Sequence, residues 1–163
     1  MELFYFVIQQ MMYFSIPLLI VALGGLFSER SGVINIALEG TMIIGAFCGI
    51  FFISVMQQTM PGQTVLILGM LIAMASGMLI SLVHAYAAIN MKADQTISGT
   101  AINIFAPAFV IFVARAVQGV QQVYFVDQFR SDSVPILGDI PVIGPMLFQK
   151  TYITNYIGIA ILV

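Results

Sequence analysis

The feature that most constrains this chain is the length of its stretches without a charged side chain. No Asp, Glu, Lys or Arg occurs at residues 3–28, 40–91 or 95–114. An apolar stretch of about 18 residues or more without charge is typical of a helix that crosses a membrane. The sequence therefore predicts an all-α fold, a polytopic bundle of transmembrane helices.

Composition supports this fold class and excludes several others. The chain is 61% hydrophobic and 7% charged, with a mean hydropathy of +1.07 and a net charge of −2. A soluble domain carries about 25% charged residues, which it needs to cover its surface. These values exclude a soluble enzyme, a nucleic-acid binder and a disordered chain, and they make the lipid bilayer the first expected partner.

The crossings can be placed along the sequence from the same pattern. Because about 20 helical residues cross the hydrocarbon of a bilayer, the chain has room for about five spans. We predict them at about residues 3–27, 34–57, 64–88, 96–117 and from 152 onward. The last apolar run is still continuing at Val163. We therefore expect residues 1–163 to be a single transmembrane domain truncated at its C-terminus, with a short re-entrant or interfacial ending as the alternative.

Basic residues near the spans indicate which connections face the cytoplasm. Arg30 follows the first predicted span and Lys92 follows the third, so both connections are expected on the cytoplasmic side. The stretch at about 119–150 contains three Asp, one Arg and several prolines. It is too interrupted to span, and we predict an extracytoplasmic loop.

Small residues recur every four positions in two of the spans. Four residues apart is about one helical turn, and such a stripe lets two helix backbones approach closely in lipid. The predicted helix-packing residues are Gly69, Ala73, Gly77 and Ser81 in the third span, and Gly45 and Gly49 in the second. This pattern predicts packing and indicates no substrate.

The first polar cluster lies between the first two spans, at residues 31–40. If this segment is helical, Ser31, Asn35 and Glu39 are four apart and share one face. A glycine at each end would let it bend or break, as the helices that line transporter sites do. The alternative is a cytoplasmic loop with an amphipathic turn.

The second polar cluster opens the fourth span. Gln95, Gly99 and Asn103 are four apart, and Pro107 continues the series. Proline has no N–H, so the carbonyl of Asn103 loses its helical partner. The freed carbonyl and the carboxamide are able to bind a neutral polar ligand, an adjacent helix or a water molecule.

Together the two clusters supply the candidate functional residues. We predict that Asn35, Glu39, Gln95 and Asn103 line a polar path for a solute, since polar groups within a membrane usually face a cavity or a partner. His84 stands alone in the third span and is expected to be a buried, hydrogen-bonded residue. No catalytic residue, metal-ligand set or cofactor is predicted, because no motif for such chemistry is present.

Three stretches of the sequence resemble one known family. They are SERSGVINIALEG at residues 28–40, KADQTISGTAIN at 92–103 and PILGDIPVIGP at 135–145. The chain resembles the permease subunits of bacterial ABC importers for branched-chain amino acids, simple sugars and nucleosides. The first stretch is most similar to the nucleoside branch, which depends on basic membrane proteins. Sugar permeases tend to carry a GGIDLS-G form there, and amino-acid permeases an INFAHG form.

This resemblance implies a function and a set of partners. The chain would be a multi-pass permease subunit in the cell membrane that forms part of the path for a small polar solute, a nucleoside in that branch. Its implied partners are a cytoplasmic ATPase subunit, which hydrolyses the ATP, a second permease subunit and an extracytoplasmic substrate-binding lipoprotein. The alternatives are a sugar or branched-chain amino acid permease of the same group, and a membrane-embedded enzyme or scaffold.

Overall fold

A computed structural model of the chain describes residues 2–60, 62–119, 123, 130–133 and 149–152, with 156, 158, 160 and 161. Its contacts group the chain into two compact units. One unit comprises Met1–Gly24 and Phe129–Val163, and the other comprises Gly25–Gln128. That the whole chain acts as a single permease domain stays a prediction.

Four long helices dominate the described residues. They are α1 (Glu2–Arg30), α2 (Leu38–Met56), α3 (Gly62–Ile89) and α4 (Gln95–Gln118), and each is long and apolar enough to cross a membrane. Large apolar side chains stay exposed along them, among them Phe14 (72%), Met78 (64%) and Phe112 (69%). A continuous exposed apolar surface of this kind is unfavourable in water and normal in lipid. The predicted all-α, membrane-spanning fold class is confirmed.

The predicted fifth span, from residue 152 onward, lies largely outside the described residues. Within it, residues 156, 158, 160 and 161 are helical. Most of the predicted extracytoplasmic loop at 119–150 also lies outside the described residues.

The ends of α4 follow from local polar contacts. Asp94 is the N-cap residue, and its carboxylate accepts hydrogen bonds from the backbone N–H groups of Thr96 (2.8 Å) and Ile97 (3.0 Å). These bonds satisfy donors that have no partner within the helix. At the other end Gly119 adopts a φ of 72°, the left-handed conformation that commonly ends a helix. The second polar cluster is therefore the first three turns of a helix.

The first polar cluster is not a helix. Residues 31–37 lie between α1 and α2 and adopt turns and irregular backbone. The helical alternative for this segment, in which Ser31, Asn35 and Glu39 share one face, is therefore wrong, and the alternative of a loop fits the backbone. α2 begins at Leu38, four residues after the predicted start of the second span. Gly32, at a φ of 89°, explains why the helix does not continue, since this conformation is open to glycine and incompatible with an α-helix.

The second unit has its core where α2 packs against α3 and α4. Ile44 and Ile53 of α2, Val65 of α3 and Ala106 of α4 are all buried. The buried side chains are few and mostly small, as expected where helices are held together in lipid by close packing rather than by a large hydrophobic core.

The contact between α2 and α3 is a seam of small residues. A Cβ atom added at Gly49 would lie 2.8 Å from the backbone oxygen of Gly69, and one added at Gly45 would lie 3.0 Å from that of Ala73. Gly77 has more room, because its nearest such contact is the Thr41 oxygen at 3.8 Å. The structure therefore brings the small residues of the two helices together with backbone against backbone, over residues 45–49 and 69–77.

The first unit adds a short strand pair that the sequence analysis did not predict. β1 (Arg130–Ser133) pairs antiparallel with β2 (Gln149–Tyr152), with Ser131 opposite Thr151. In the same unit Gly158 lies against Ile16 of α1, whose side chain is 3% exposed. The sequence signal for the strands was weak because both are four residues long and neither alternates between apolar and polar residues.

Candidate functional site

The structure joins the two polar clusters at one place in the second unit. The irregular backbone that follows α1 lies against the first turns of α4. We call residues 31–40 the crossing segment, and we call Gln95, Gly99 and Asn103 the α4 cradle. The contacts below show how the cradle holds the segment.

The crossing segment begins with a turn that is closed by its own polar atoms. The Ser28 hydroxyl donates a hydrogen bond to the Val33 carbonyl at 2.7 Å, and the Ser31 hydroxyl donates to the Ser28 carbonyl at the same distance. The Gly32 N–H donates to the Glu29 carbonyl at 3.0 Å. The carbonyls of Ser28 and Glu29 in the last turn of α1 therefore stay paired although the helix stops there.

Gln95, the first residue of the cradle, binds the segment near its start. Its Oε1 accepts a hydrogen bond from the backbone N–H of Ile34 at 2.8 Å, and its Nε2 donates a long one to the Gly32 carbonyl at 3.5 Å. The Asp94 cap fixes the start of α4 beside it. The side chain of Gln95 thus replaces the helical partners that irregular backbone lacks.

Gly99, one turn further, provides the space for the segment. A Cβ atom at this position would lie 2.8 Å from Cβ of Ile36 and 3.1 Å from the backbone nitrogen of Ala37. Ala37 is fully buried, with an exposed fraction of 0%. Only glycine lets the two backbones approach this closely.

Asn103, the third residue, uses both ends of its carboxamide. Its Nδ2 donates to the Ile36 carbonyl at 2.8 Å, and its Oδ1 accepts from the Gly40 N–H at the same distance. A Cβ atom at Gly40 would lie 2.8 Å from the Ile102 carbonyl oxygen, so this part of the contact is also tight. Asn103 therefore links α4 to the end of the segment and to the first turn of α2.

His84 of α3 makes a third connection to the same segment. Its Nδ1 lies 3.1 Å from the Ser98 hydroxyl, and its Nε2 lies 3.5 Å from the Ile34 carbonyl oxygen. The side chain is 1% exposed. The prediction of a buried, hydrogen-bonded histidine is confirmed, and the structure adds that it joins α3, α4 and the crossing segment.

The four predicted path residues occupy different positions. Gln95 and Asn103 contact the crossing segment directly. The Oδ1 of Asn35, in the segment itself, accepts a hydrogen bond from the Ala37 N–H at 3.1 Å. Glu39 lies exposed in the first turn of α2. That these residues line a path for a solute stays a prediction.

Sequence reasoning missed two aspects of this site. It identified both polar clusters but did not pair them, and it gave Gly99 no role in packing. One signal was available in the sequence. Gln95, Gly99 and Asn103 place an amide, a glycine and an amide at successive turns of one helix, which suits an adjacent backbone that needs hydrogen-bond partners and space.

The chemistry of the site is that of neutral hydrogen bonds. Every side chain of the cradle is uncharged, and the groups that it binds are backbone N–H and C=O. Within the ranges that the structure describes, no three His, Cys, Asp or Glu side chains group as metal ligands would. The arrangement supplies hydrogen bonds to backbone groups that have no helical partner, and polar groups left unpaired in a membrane protein are costly.

Comparison with known proteins gives the family. A family model described as the permease component of the branched-chain amino acid transport system matches residues 7–161. The chain belongs to this permease family. With its four apolar helices it is a multi-pass membrane protein, and the resemblance found in its sequence motifs is confirmed.

Individual relatives of this permease carry more specific names. The guanosine ABC transporter permease protein NupQ of Bacillus subtilis is 46% identical over 149 residues, which are 91% of this chain and 46% of the relative. The nucleoside ABC transporter permease protein NupC of Lactococcus lactis is 36% identical over 155 residues, 95% of this chain and 49% of the relative. A Haloferax volcanii protein, provisionally named a glucose ABC transporter permease, is 30% identical over 87% of this chain and 41% of its own length.

The chain spans about half the length of the curated relatives that it matches. These relatives are named as transporter permeases rather than as enzymes. No solved structure matches the chain.

Proposed function

We propose that this permease forms part of the membrane path of an ATP-driven importer for nucleosides. The observation that carries the proposal is its likeness, over at least nine-tenths of the chain, to the guanosine permease of Bacillus subtilis and the nucleoside permease of Lactococcus lactis. The scarcity of charge supports a neutral solute. α3 contains no charged residue, and in α4 only Arg115, in the last turn, carries a charge.

The proposed importer has three further parts. A separate cytoplasmic subunit hydrolyses ATP, a second permease subunit completes the path, and an extracytoplasmic lipoprotein delivers the substrate. The assembly would lie in the cell membrane. These partners follow from the kind of transporter that the relatives are named for.

We further propose that the path runs beside the crossing segment, so that Asn35, Glu39, Gln95 and Asn103 lie along it. The contacts support a division of roles among these four residues. Gln95 and Asn103 hold the segment in place, while Asn35 and Glu39 belong to the part that is held. On this view the cradle positions the residues that meet the solute.

An uptake assay tests the substrate class. Cells that express the complete importer should accumulate radiolabelled guanosine in an ATP-dependent manner, and unlabelled nucleosides should compete. Glucose and leucine should not compete at the same concentrations. The control is the same importer with an ATPase subunit that is unable to hydrolyse ATP.

The competition pattern also separates the alternatives. Inhibition by glucose but not by nucleosides would contradict the nucleoside proposal and favour a sugar permease, the function suggested by the name of the Haloferax volcanii relative. Inhibition by leucine alone would favour a branched-chain amino acid permease.

A further inference from the structure

We propose that a cavity between the crossing segment and α3 binds the base of a nucleoside, with Ser81 and Asn35 as its hydrogen-bonding residues. This inference rests on the proposed function and adds a place and a chemistry to it. The cavity has a volume of about 330 Å³ and lies within the second unit. We call it the Ser81 cavity.

The lining of the Ser81 cavity is mixed in polarity. Ser28 contributes a polar group from the end of α1, and Asn35 does so from the crossing segment. Ser81 and His84 contribute polar groups from α3, and Met78 and Leu82 belong to the apolar surface of the cavity. Small-molecule sites combine apolar walls with a few placed polar groups, in volumes of roughly 300 to 1,000 Å³. The Ser81 cavity lies at the small end of this range, which suits a single ring system.

Two polar atoms on this lining have no hydrogen bond to any residue that the structure describes. They are Nδ2 of Asn35, whose Oδ1 is occupied by the Ala37 N–H, and the hydroxyl of Ser81. The neighbouring Ser76 differs, because its hydroxyl bonds the carbonyls of Ile72 and Ala73 in its own helix. Polar groups without a partner in a membrane protein are costly unless a ligand or water binds them.

The chemistry of the lining selects the ligand class. Among the described residues, no Asp, Glu, Lys or Arg lines the Ser81 cavity, so none of them compensates a charged ligand. Nδ2 of Asn35 donates only, and the hydroxyl of Ser81 both donates and accepts. A nucleobase offers carbonyl and ring-nitrogen acceptors at the edge of a flat ring, whose faces fit apolar side chains. The two ring nitrogens of His84 lie next to the Ser98 hydroxyl and the Ile34 carbonyl. His84 therefore forms part of the cavity surface and offers no free donor to a ligand.

Protection from a thiol reagent tests the Ser81 cavity directly. Ser81→Cys and Asn35→Cys are introduced singly into the complete importer carrying Cys48→Ala, and each is labelled with N-ethylmaleimide with and without guanosine. The matched control is Ser76→Cys, on the same helix but outside the lining. At a guanosine concentration of about ten times Kd, labelling at Ser81→Cys and Asn35→Cys should slow about tenfold. Labelling at Ser76→Cys should not change, and ribose, which has no base, should not protect.

Uptake kinetics give a second, independent measurement. Ser81→Ala should raise the KM for guanosine by about two- to tenfold, the effect of one neutral hydrogen bond, without changing the maximum rate per folded complex. Ser76→Ala should leave both values at the wild-type level. In the protection experiment, Ser81→Cys and Asn35→Cys are measured separately. If one of these two variants fails to fold, the other still tests the cavity.

The possible outcomes distinguish a failure of the Ser81 cavity proposal from a failure of the proposed nucleoside function. Guanosine uptake by the wild type with no protection at either cysteine would overturn the Ser81 cavity as the site and leave the nucleoside function standing. Equal protection at Ser76→Cys, or protection by ribose, would also overturn it, since neither follows from a base bound in the cavity. No guanosine uptake and no protection would overturn both proposals.

Discussion

Two of the contacts that α2 and the crossing segment make in the second unit differ in how they are built. The seam with α3 places Gly49 against the backbone of Gly69, and the nearest atoms to an added Cβ there are those of Gly69 and Ala73. The junction of the crossing segment with α4 is made by the carboxamides of Gln95 and Asn103, which bind backbone groups. The seam depends on the close fit of two surfaces, whereas the junction combines a close fit at Gly99 with hydrogen bonds between neutral groups.

This difference gives the two contacts different expected behaviour. Van der Waals packing at the seam is lost as soon as the helices separate, and no other molecule replaces it. A neutral hydrogen bond at the junction is exchangeable, because water or a polar solute offers the same donors and acceptors. We therefore expect the seam to be the fixed contact and the junction to be the adjustable one. Substitutions at the seam should lower folding stability more than substitutions of the junction's amide side chains.

The largest effect is expected at the seam. Gly49→Ala places a Cβ atom 2.8 Å from a backbone oxygen of α3, so the helices must move apart. This should lower the free energy of unfolding by up to about 3 kcal/mol. Thermal unfolding of the purified full-length subunit in detergent, with and without Gly49→Ala, measures this loss of stability.

The matched control for the seam is Gly77→Ala on α3. Its added Cβ meets its nearest contact at 3.8 Å, an ordinary distance, and alanine improves helix propensity by about 1 kcal/mol. This variant should melt at or above the wild-type temperature. Equal melting temperatures for the two alanine variants would contradict the close packing of the seam.

An intermediate effect is expected at Asn103. Asn103→Ala leaves the Ile36 carbonyl and the Gly40 N–H without their partner. We expect a loss of about 1–2 kcal/mol of folding stability, because water reaches only part of the junction. Thermal unfolding and uptake per folded complex are measured together, with Asn90→Ala, at an exposed position after α3, as the control.

The two readouts for Asn103 distinguish its possible roles. Lower stability with normal uptake per folded complex would identify Asn103 as a positioning residue outside the path. Reduced uptake at normal stability would place it on the path and contradict its role in holding the segment.

The smallest effect is expected at Gln95. Gln95→Ala removes one good hydrogen bond, to the Ile34 N–H, at a position where the contact is exposed and water is able to replace it. The cost should be about 0.5–1 kcal/mol. Measured by the same unfolding assay, a loss larger than that of Asn103→Ala would reverse the order that we propose along the cradle.

Much of the fold was accessible from the sequence, because hydropathy and helix length alone determine where a chain is able to cross lipid. The four helices follow from that pattern. The irregular backbone at 31–37 did not follow, since its stability depends on α4 side chains about 60 residues away. A single sequence shows which residues are polar but not which of them meet.

The candidate site was also only partly predictable: its polar residues were identified from the sequence, but their contacts were not. The three polar residues that hold or enter the junction stood out as polar groups in an apolar chain: Asn35, Gln95 and Asn103. Gly99 did not stand out, because a glycine that provides space is indistinguishable in sequence from one that permits a bend. Ser81 was predicted from its spacing to be a packing residue, and this stays a prediction; that it also lines a cavity was not visible in the sequence.

The α4 cradle recognises main chain rather than side chains, and this has a consequence for how such a permease diversifies. The bonds to residues 34, 36 and 40 are made to N–H and C=O groups that almost every amino acid possesses. Ile34 and Ile36 are themselves 53% and 37% exposed. The side chain of Ile34, the more exposed of the two, is therefore open to exchange while the path of the backbone is kept, so that one architecture accommodates surfaces of different size and polarity.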